Sequence, residues 1–166
     1  MSVYNEFFAN YTKLTQGGSI IESLEHSEAN GLAVLSSISE EKGPGRYAEG
    51  KWTVNEVIAH INDTERIMAY RALRFARNDA TDLQGFDEND YARYSNASSR
   101  TTGSLVSEFE EIRISTLSLF NSFDEKMLER KGTANSLSFD VAGLGLIIAG
   151  HSLHHCQILI ERYGIV

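Results

Sequence analysis

The stretch Ala149-Gly150-His151-Ser152-Leu153-His154-His155-Cys156-Gln157-Ile158-Leu159-Ile160 decides how this chain is read. Three of the five histidines fall within five of its residues, in a run that otherwise has the character of a buried helix. Leu144, Ile147, Ile148, Leu153, Ile158, Leu159 and Ile160 supply the apolar positions, and nothing after Gly150 breaks the pattern. On a helix, His151 and His155 are one turn apart on the same face, with roughly 6 Å of rise between them. Two imidazoles on an apolar face lose hydration unless something else binds their ring nitrogens. A divalent metal does that, and i, i+4 is the spacing by which one helix offers two ligands to one ion. His154 points about 100° away from His155. His151 with His154, at i and i+3, is the competing pair. A satisfied core or interface role for these histidines stands beside both, and a third ligand is needed to decide.

Outward from this stretch, the bulk composition narrows the class. A chain of 166 residues is long enough to bury a core as one domain, spanning 1–166, without disulfides. Its formal charge of -8 leaves no basic face for phosphates, so no nucleic-acid partner is expected. The single cysteine, Cys156, excludes an internal disulfide framework and fits a reducing cytoplasm. The opening residues lack the basic and apolar segments of a signal peptide, and no apolar run approaches a membrane span. The expectation is a soluble, cytoplasmic globular protein with no membrane partner.

Periodicity predicts helices over about 3–12, 20–38, 53–77, 102–121 and from 138 or 140 to 163. In the first, Val3, Phe7, Phe8 and Tyr11 form the apolar side, and Gly17 and Gly18 end it. Ser19 is placed to cap the second. Thr53-Val54-Asn55-Glu56 has the form of a capping box. The segment 39–52 holds the only proline, Pro44, and reads as a loop. A long connection over 78–101 is either functional or a crossover between distant helix ends. Strand signal is slight, confined to alternation near 136–139. The fold class is therefore all-α, a four-helix bundle with a short extra N-terminal helix, in which a site is built from side chains on facing helices.

A third imidazole is available on the second long helix. His60 sits among core residues in Val57-Ile58-Ala59-His60-Ile61-Asn62-Asp63. If that helix faces the last one, three neutral imidazoles converge and leave a coordination position open, the pattern of a catalytic site. His26 lies in the acidic stretch 22–28 and reads as a surface residue. There is no HExxH and no paired Glu-x-x-His of the ferritin-like kind.

Several segments together resemble the DinB/YfiT-like superfamily. They are Tyr47-Ala48-Glu49-Gly50-Lys51-Trp52-Thr53 with Ile58-Ala59-His60-Ile61-Asn62-Asp63-Thr64-Glu65-Arg66, then Arg71-Ala72-Leu73-Arg74-Phe75-Ala76-Arg77 with Gly85-Phe86-Asp87-Glu88-Asn89. The series closes with Gly150-His151-Ser152-Leu153-His154-His155 and Glu161-Arg162-Tyr163, so the resemblance runs from about residue 15 to the C-terminus. The ordered set is what carries it, since H-x-x-x-H alone is weak. The resemblance implies an up-down-down-up bundle and a divalent metal, nickel or zinc, held by His60, His151 and His155. It also implies activities that use a low-molecular-weight thiol, as S-transferase or isomerase, or metal-dependent hydrolysis of a small-molecule substrate. It further implies a homodimer.

Other residues are weighed around that site. Asp63 is expected either to orient a ligand imidazole or act as a base, or to be an ordinary helix-surface carboxylate near Arg66. Glu65 is expected to partner an arginine. Arg71, Arg74 and Arg77 bind an anionic substrate group or, as the favoured reading, form ion pairs with carboxylates such as Asp87 and Glu88. His154 is a proton shuttle or, preferably, a hydrogen-bonded residue at a helix contact. Cys156 is expected to pack, and Trp52 and Tyr91 to wall a pocket or join the core. The rival to an enzyme is a non-catalytic metal-binding or dimeric interaction bundle. An open position among the imidazoles with a pocket above it separates the two.

Overall fold

The structure is a computed structural model that describes residues 6–15 and 18–166, without the side chains of Glu6 and Phe7. Val3, Gly17 and the Phe7 side chain of the predicted N-terminal helix therefore lie outside the described residues. Among the described residues the helices are α1 (Glu6–Thr12), α2 (Ile20–Leu35), α3 (Val54–Ala76), α4 (Glu88–Tyr94), α5 (Thr102–Asn121), α6 (Glu125–Leu128) and α7 (Val141–Tyr163). A hairpin of β1 (Lys131–Ala134) and β2 (Leu137–Asp140) precedes α7.

Capping chemistry sets the long helices. Thr53 and Glu56 form the reciprocal capping box, with the Thr53 N–H donating to Glu56 Oε2 at 2.7 Å and the Glu56 N–H to Thr53 Oγ1 at 3.2 Å. Ser19 caps α2 in the same way, with Glu22 as its partner. Asp140 caps α7, and Gly164, at φ 64°, closes it in the left-handed conformation that favours glycine.

Long-range contacts give the topology. Leu35, Val54, Leu105 and Leu159 share one apolar cluster, whereas Leu24, Phe75, Phe120 and Leu144 share another at the opposite end. Thus α2 runs up, α3 and α5 run down in parallel, and α7 runs up again. Each of α2 and α3 packs on both α5 and α7, which makes sequential α2 and α3 diagonal neighbours. Two successive descending helices need a connection that climbs the bundle. The segment 77–101 does so, which is the crossover alternative, and it has regular structure of its own. It carries α4, capped by Asp87, and a 3-10 turn at Ala97–Ser99.

By length and composition α7 is the single candidate for a membrane span among the described residues, which the sequence reading did not anticipate. Here 61% of that apolar window is buried, because α7 is the core helix contacted by α1, α2 and α3.

Between the two apolar clusters lies a belt of buried polar groups. Arg113 on α5 is wholly buried and donates to both carboxylate oxygens of Glu65 on α3, each at 2.8 Å. Its remaining donors reach the Leu24 carbonyl and Ser27 Oγ on α2, at 2.8 and 2.6 Å, and Ser152 Oγ on α7 at 3.5 Å. One guanidinium thereby ties all four bundle helices.

Candidate metal centre

His60 projects from α3, His151 and His155 from successive turns of α7, and the antiparallel packing of the two helices brings them together. His60 Nε2 lies 3.0 Å from His151 Nε2, and His155 Nε2 lies 3.1 Å from the same atom. One ligand atom from each residue lies within 4.8 Å of the others, and no Cys, Asp or Glu joins this group among the described residues. His60 and His151 are 5% and 6% exposed, His155 somewhat more.

Burial holds these imidazoles neutral. It pushes His60 down to about 4. It lowers His151 and His155 well below the ordinary histidine range, with repulsion from their neighbours adding to the effect. Three neutral Nε2 atoms facing one another cannot satisfy each other by hydrogen bonds alone, because each pair shares at most one proton. Tetrahedral imidazole ligands at 2.0–2.1 Å from zinc are about 3.3 Å apart, close to the two separations at His151, while the third pair lies within 4.8 Å and closes by at most about 1.5 Å on a bound ion. The donor set fits a divalent ion.

Neighbouring side chains fix the rings. Trp52 packs against His60 with ring centroids 4.8 Å apart, and its carbonyl accepts from Tyr163 Oη at 2.7 Å. Tyr11 stands edge-on to His151 and His154, at 5.4 and 5.3 Å. It reaches them because α1 lies directly on α7 at Gly150, where an added Cβ would fall 2.0 Å from the Tyr11 carbonyl oxygen.

The triad opens onto two clefts. One, of about 160 Å³, is lined by His60 and His151 with Tyr11, Thr64, Arg71 and Glu88 among others. The second, of about 260 Å³, is lined by His155 with Tyr47, Lys51, Trp52, Asn89 and Arg162 among others. Glu88 and Asn89, at the start of α4, belong to one cleft each.

Asp63 is not part of this arrangement. It is half-buried in a separate cavity of about 460 Å³, with Asn62, Tyr91, Tyr94, Arg100 and Glu108, and burial raises its pKa. Three residues along a helix place it about 60° around from His60, toward α4 and α5 instead of α7. No carboxylate takes a hydrogen bond from a triad imidazole among the described residues, so the orienting role expected of Asp63 has no counterpart in the geometry. Tyr91 walls the cavity at Asp63, and Trp52 walls the cleft at His155. Cys156 is buried, its thiol pushed up to about 12, as packing requires. His154 meets Tyr11 and stays out of the triad.

The ion pairs expected of the arginines hold for Arg74 alone among Arg71, Arg74 and Arg77, and with a different carboxylate. Arg74 pairs with Asp79, and Arg77 lies over the Phe123 ring at 5.9 Å; neither meets Asp87 or Glu88. Arg71 is buried with no ion-pair partner among the described residues. Glu65 does partner an arginine, Arg113, which the sequence reading passed over. Its place on the Phe109–Phe120 face of α5 was the available signal.

Fold and site together define a helical bundle with a buried three-histidine cluster suited to a metal. The DinB superfamily profile matches residues 23–159, and the chain belongs to that superfamily. Among solved structures it is similar to YfiT from Bacillus subtilis, described as a probable metal-dependent hydrolase with an unusual four-helix bundle topology. That likeness has a TM-score of 0.76 at 16% identity and covers 99% of this chain and 92% of the other. A second similar structure is the mycothiol-dependent maleylpyruvate isomerase, with a TM-score of 0.72 at 14% identity. That match covers 89% of this chain but only 60% of the isomerase. No curated protein matches the sequence.

Proposed function

We propose that this protein is a metal-dependent enzyme acting on a small molecule, with a thiol or water as nucleophile, in a transferase-like or hydrolase-like reaction. The observation that carries the reading is the convergence of His60, His151 and His155, neutral and buried, where two clefts meet. A structural metal site is closed by four protein ligands, whereas three ligands beside accessible space suit chemistry. The names of the two similar structures, one a probable hydrolase and one thiol-dependent, agree with this class.

His60, His151 and His155 would hold the ion, zinc or nickel being the leading candidates. Such an ion lowers the pKa of a water or thiol and polarises a carbonyl. The chain's own contribution is to keep the imidazoles deprotonated by burial and to lock their rings with Trp52 and Tyr11. Phe8, Met68 and Phe86 line one approach and Trp52 the other, limiting water at the triad. Asp63 stays outside the proposed chemistry because it faces another cavity.

The test is the metal content of untagged protein, native against His151→Ala. About one divalent ion per chain in the native protein, absent from the variant, is expected. Thiol-transfer and hydrolysis screens of the loaded protein then choose between the two reactions. Protein that neither retains nor takes up zinc or nickel would contradict the reading.

A further inference from the structure

The cleft at His60 and His151 is lined by two buried polar groups that the described residues leave incompletely satisfied. Arg71 is 4% exposed, yet no carboxylate lies within ion-pair distance among the described residues. Its Nη2 donates to the Gln84 carbonyl at 3.0 Å, and its Nη1 contacts the Met68 sulfur at 3.7 Å. Thr64 is 4% exposed, and its Oγ1 has no hydrogen-bond partner among the described residues. Both line this cleft. A buried charge without a counterion and a buried hydroxyl without a partner are each costly to a fold. A ligand that brings a negative charge removes both costs at once.

The fold is built to hold this arrangement. His60, Thr64, Met68 and Arg71 follow one another at i, i+4, i+8 and i+11, a single stripe along α3. Leu83 pairs with the hairpin through its N–H to the Thr133 carbonyl at 2.9 Å and its carbonyl to the Asn135 N–H at 2.8 Å. That pairing fixes Gln84, whose carbonyl orients the guanidinium, and Phe86 beside the cleft. The carboxylate that lines the cleft, Glu88, is exposed and has no ion pair with Arg71.

We infer that Arg71 and Thr64 form an anion subsite, so that the substrate is an elongated molecule with a carboxylate or similar anion remote from its reacting end. The inference rests on the triad being the reacting centre. Eleven residues of helix separate His60 from Arg71, a rise of roughly 16 Å, and the guanidinium folds back a turn toward Met68. Anion and reacting centre are therefore on the order of 10 Å apart.

A ruler of ω-mercaptoalkanoates against matched mercaptoalcohols tests this by calorimetry on zinc-loaded protein. The acids are expected to bind about tenfold or more tighter than the alcohols, with the advantage growing from 3-mercaptopropionate to 6-mercaptohexanoate. Arg71→Met should abolish that advantage while zinc content and alcohol affinity stay unchanged; Arg71→Lys should keep part of it. Thr64→Val, which removes the unpartnered hydroxyl, should reduce it. Equal binding of acid and alcohol, or an advantage that survives Arg71→Met, overturns the assignment. If the protein takes up no zinc, the triad reading fails, and hexanoate titrated into metal-free protein still decides the subsite. Binding lost in Arg71→Met supports it, and binding absent or unchanged overturns it.

Discussion

Two arginines are buried in this bundle, and their surroundings are opposites. Arg113 has a bidentate carboxylate, a carbonyl and two hydroxyls, and so ties α2, α3, α5 and α7 at the level of the polar belt. Arg71 has one carbonyl and a sulfur, and faces a cleft. The same residue type does different work according to whether the fold supplies its counterion. Where the chain completes the charge, the group is architecture; where it leaves the charge incomplete, the group waits for a ligand. The imidazole triad belongs with Arg71, since its three Nε2 atoms also lack full partners inside the protein.

The comparison breaks most visibly on stability. Arg113→Met leaves Glu65 buried without a partner, and loss of one member of such a pair costs about 3–5 kcal/mol. Urea unfolding of the metal-free protein should show a loss of that size. Arg71→Met in the same assay should be nearly neutral or mildly stabilising, because no ion pair is broken and a desolvated charge is removed. Comparable losses in the two variants would erase the distinction.

The next effect is in pH. The folded pKa of His60, about 4, lies below its ordinary value of 6.5, so the unfolded chain takes up the proton first. Stability contributed by the neutral imidazole is present above pH 6.5, falls as pH drops, and is fully lost near pH 4. His151 and His155 are shifted in the same direction and steepen the fall. Urea midpoints of metal-free protein across this range should decline with acid, and His60→Leu should flatten part of the slope. The smallest effect is at Thr64. Thr64→Val should change stability by less than about 1 kcal/mol, in the stabilising sense, since the hydroxyl makes no bond to lose.

Much of this was legible in the residues. Apolar periodicity marked the four long helices and α1, and the Thr53–Glu56 box located the start of α3. The i, i+4 histidines of α7 with His60 formed the triad as expected from the sequence. The alternation at 136–139 falls on β2, but it does not reveal a hairpin because the turn is Asn135-Ser136, with both φ values positive at 52° and 61°. Asparagine suits such a turn, but serine stands where glycine usually gives the signal. The helix α4 buries Ala92 alone and so shows no apolar stripe, although Asp87 accepts from the Asn89 and Asp90 N–H groups as a recognisable cap. Of the two readings of Asp63, its separate cavity favours the carboxylate near Arg66; spacing along α3 could not choose, because it does not say which neighbour each face meets. For Arg113 and Arg71, burial on an apolar stripe could be read from position, but the presence or absence of a counterion depends on packing between helices.

The most direct test of the account is X-ray absorption spectroscopy of the protein loaded with one equivalent of zinc. The account predicts three imidazole nitrogens at about 2.0–2.1 Å with one or two further oxygen ligands from solvent. Failure to bind zinc, a fourth ligand supplied by the protein, or fewer than three imidazoles would contradict the claim that His60, His151 and His155 form an open metal centre.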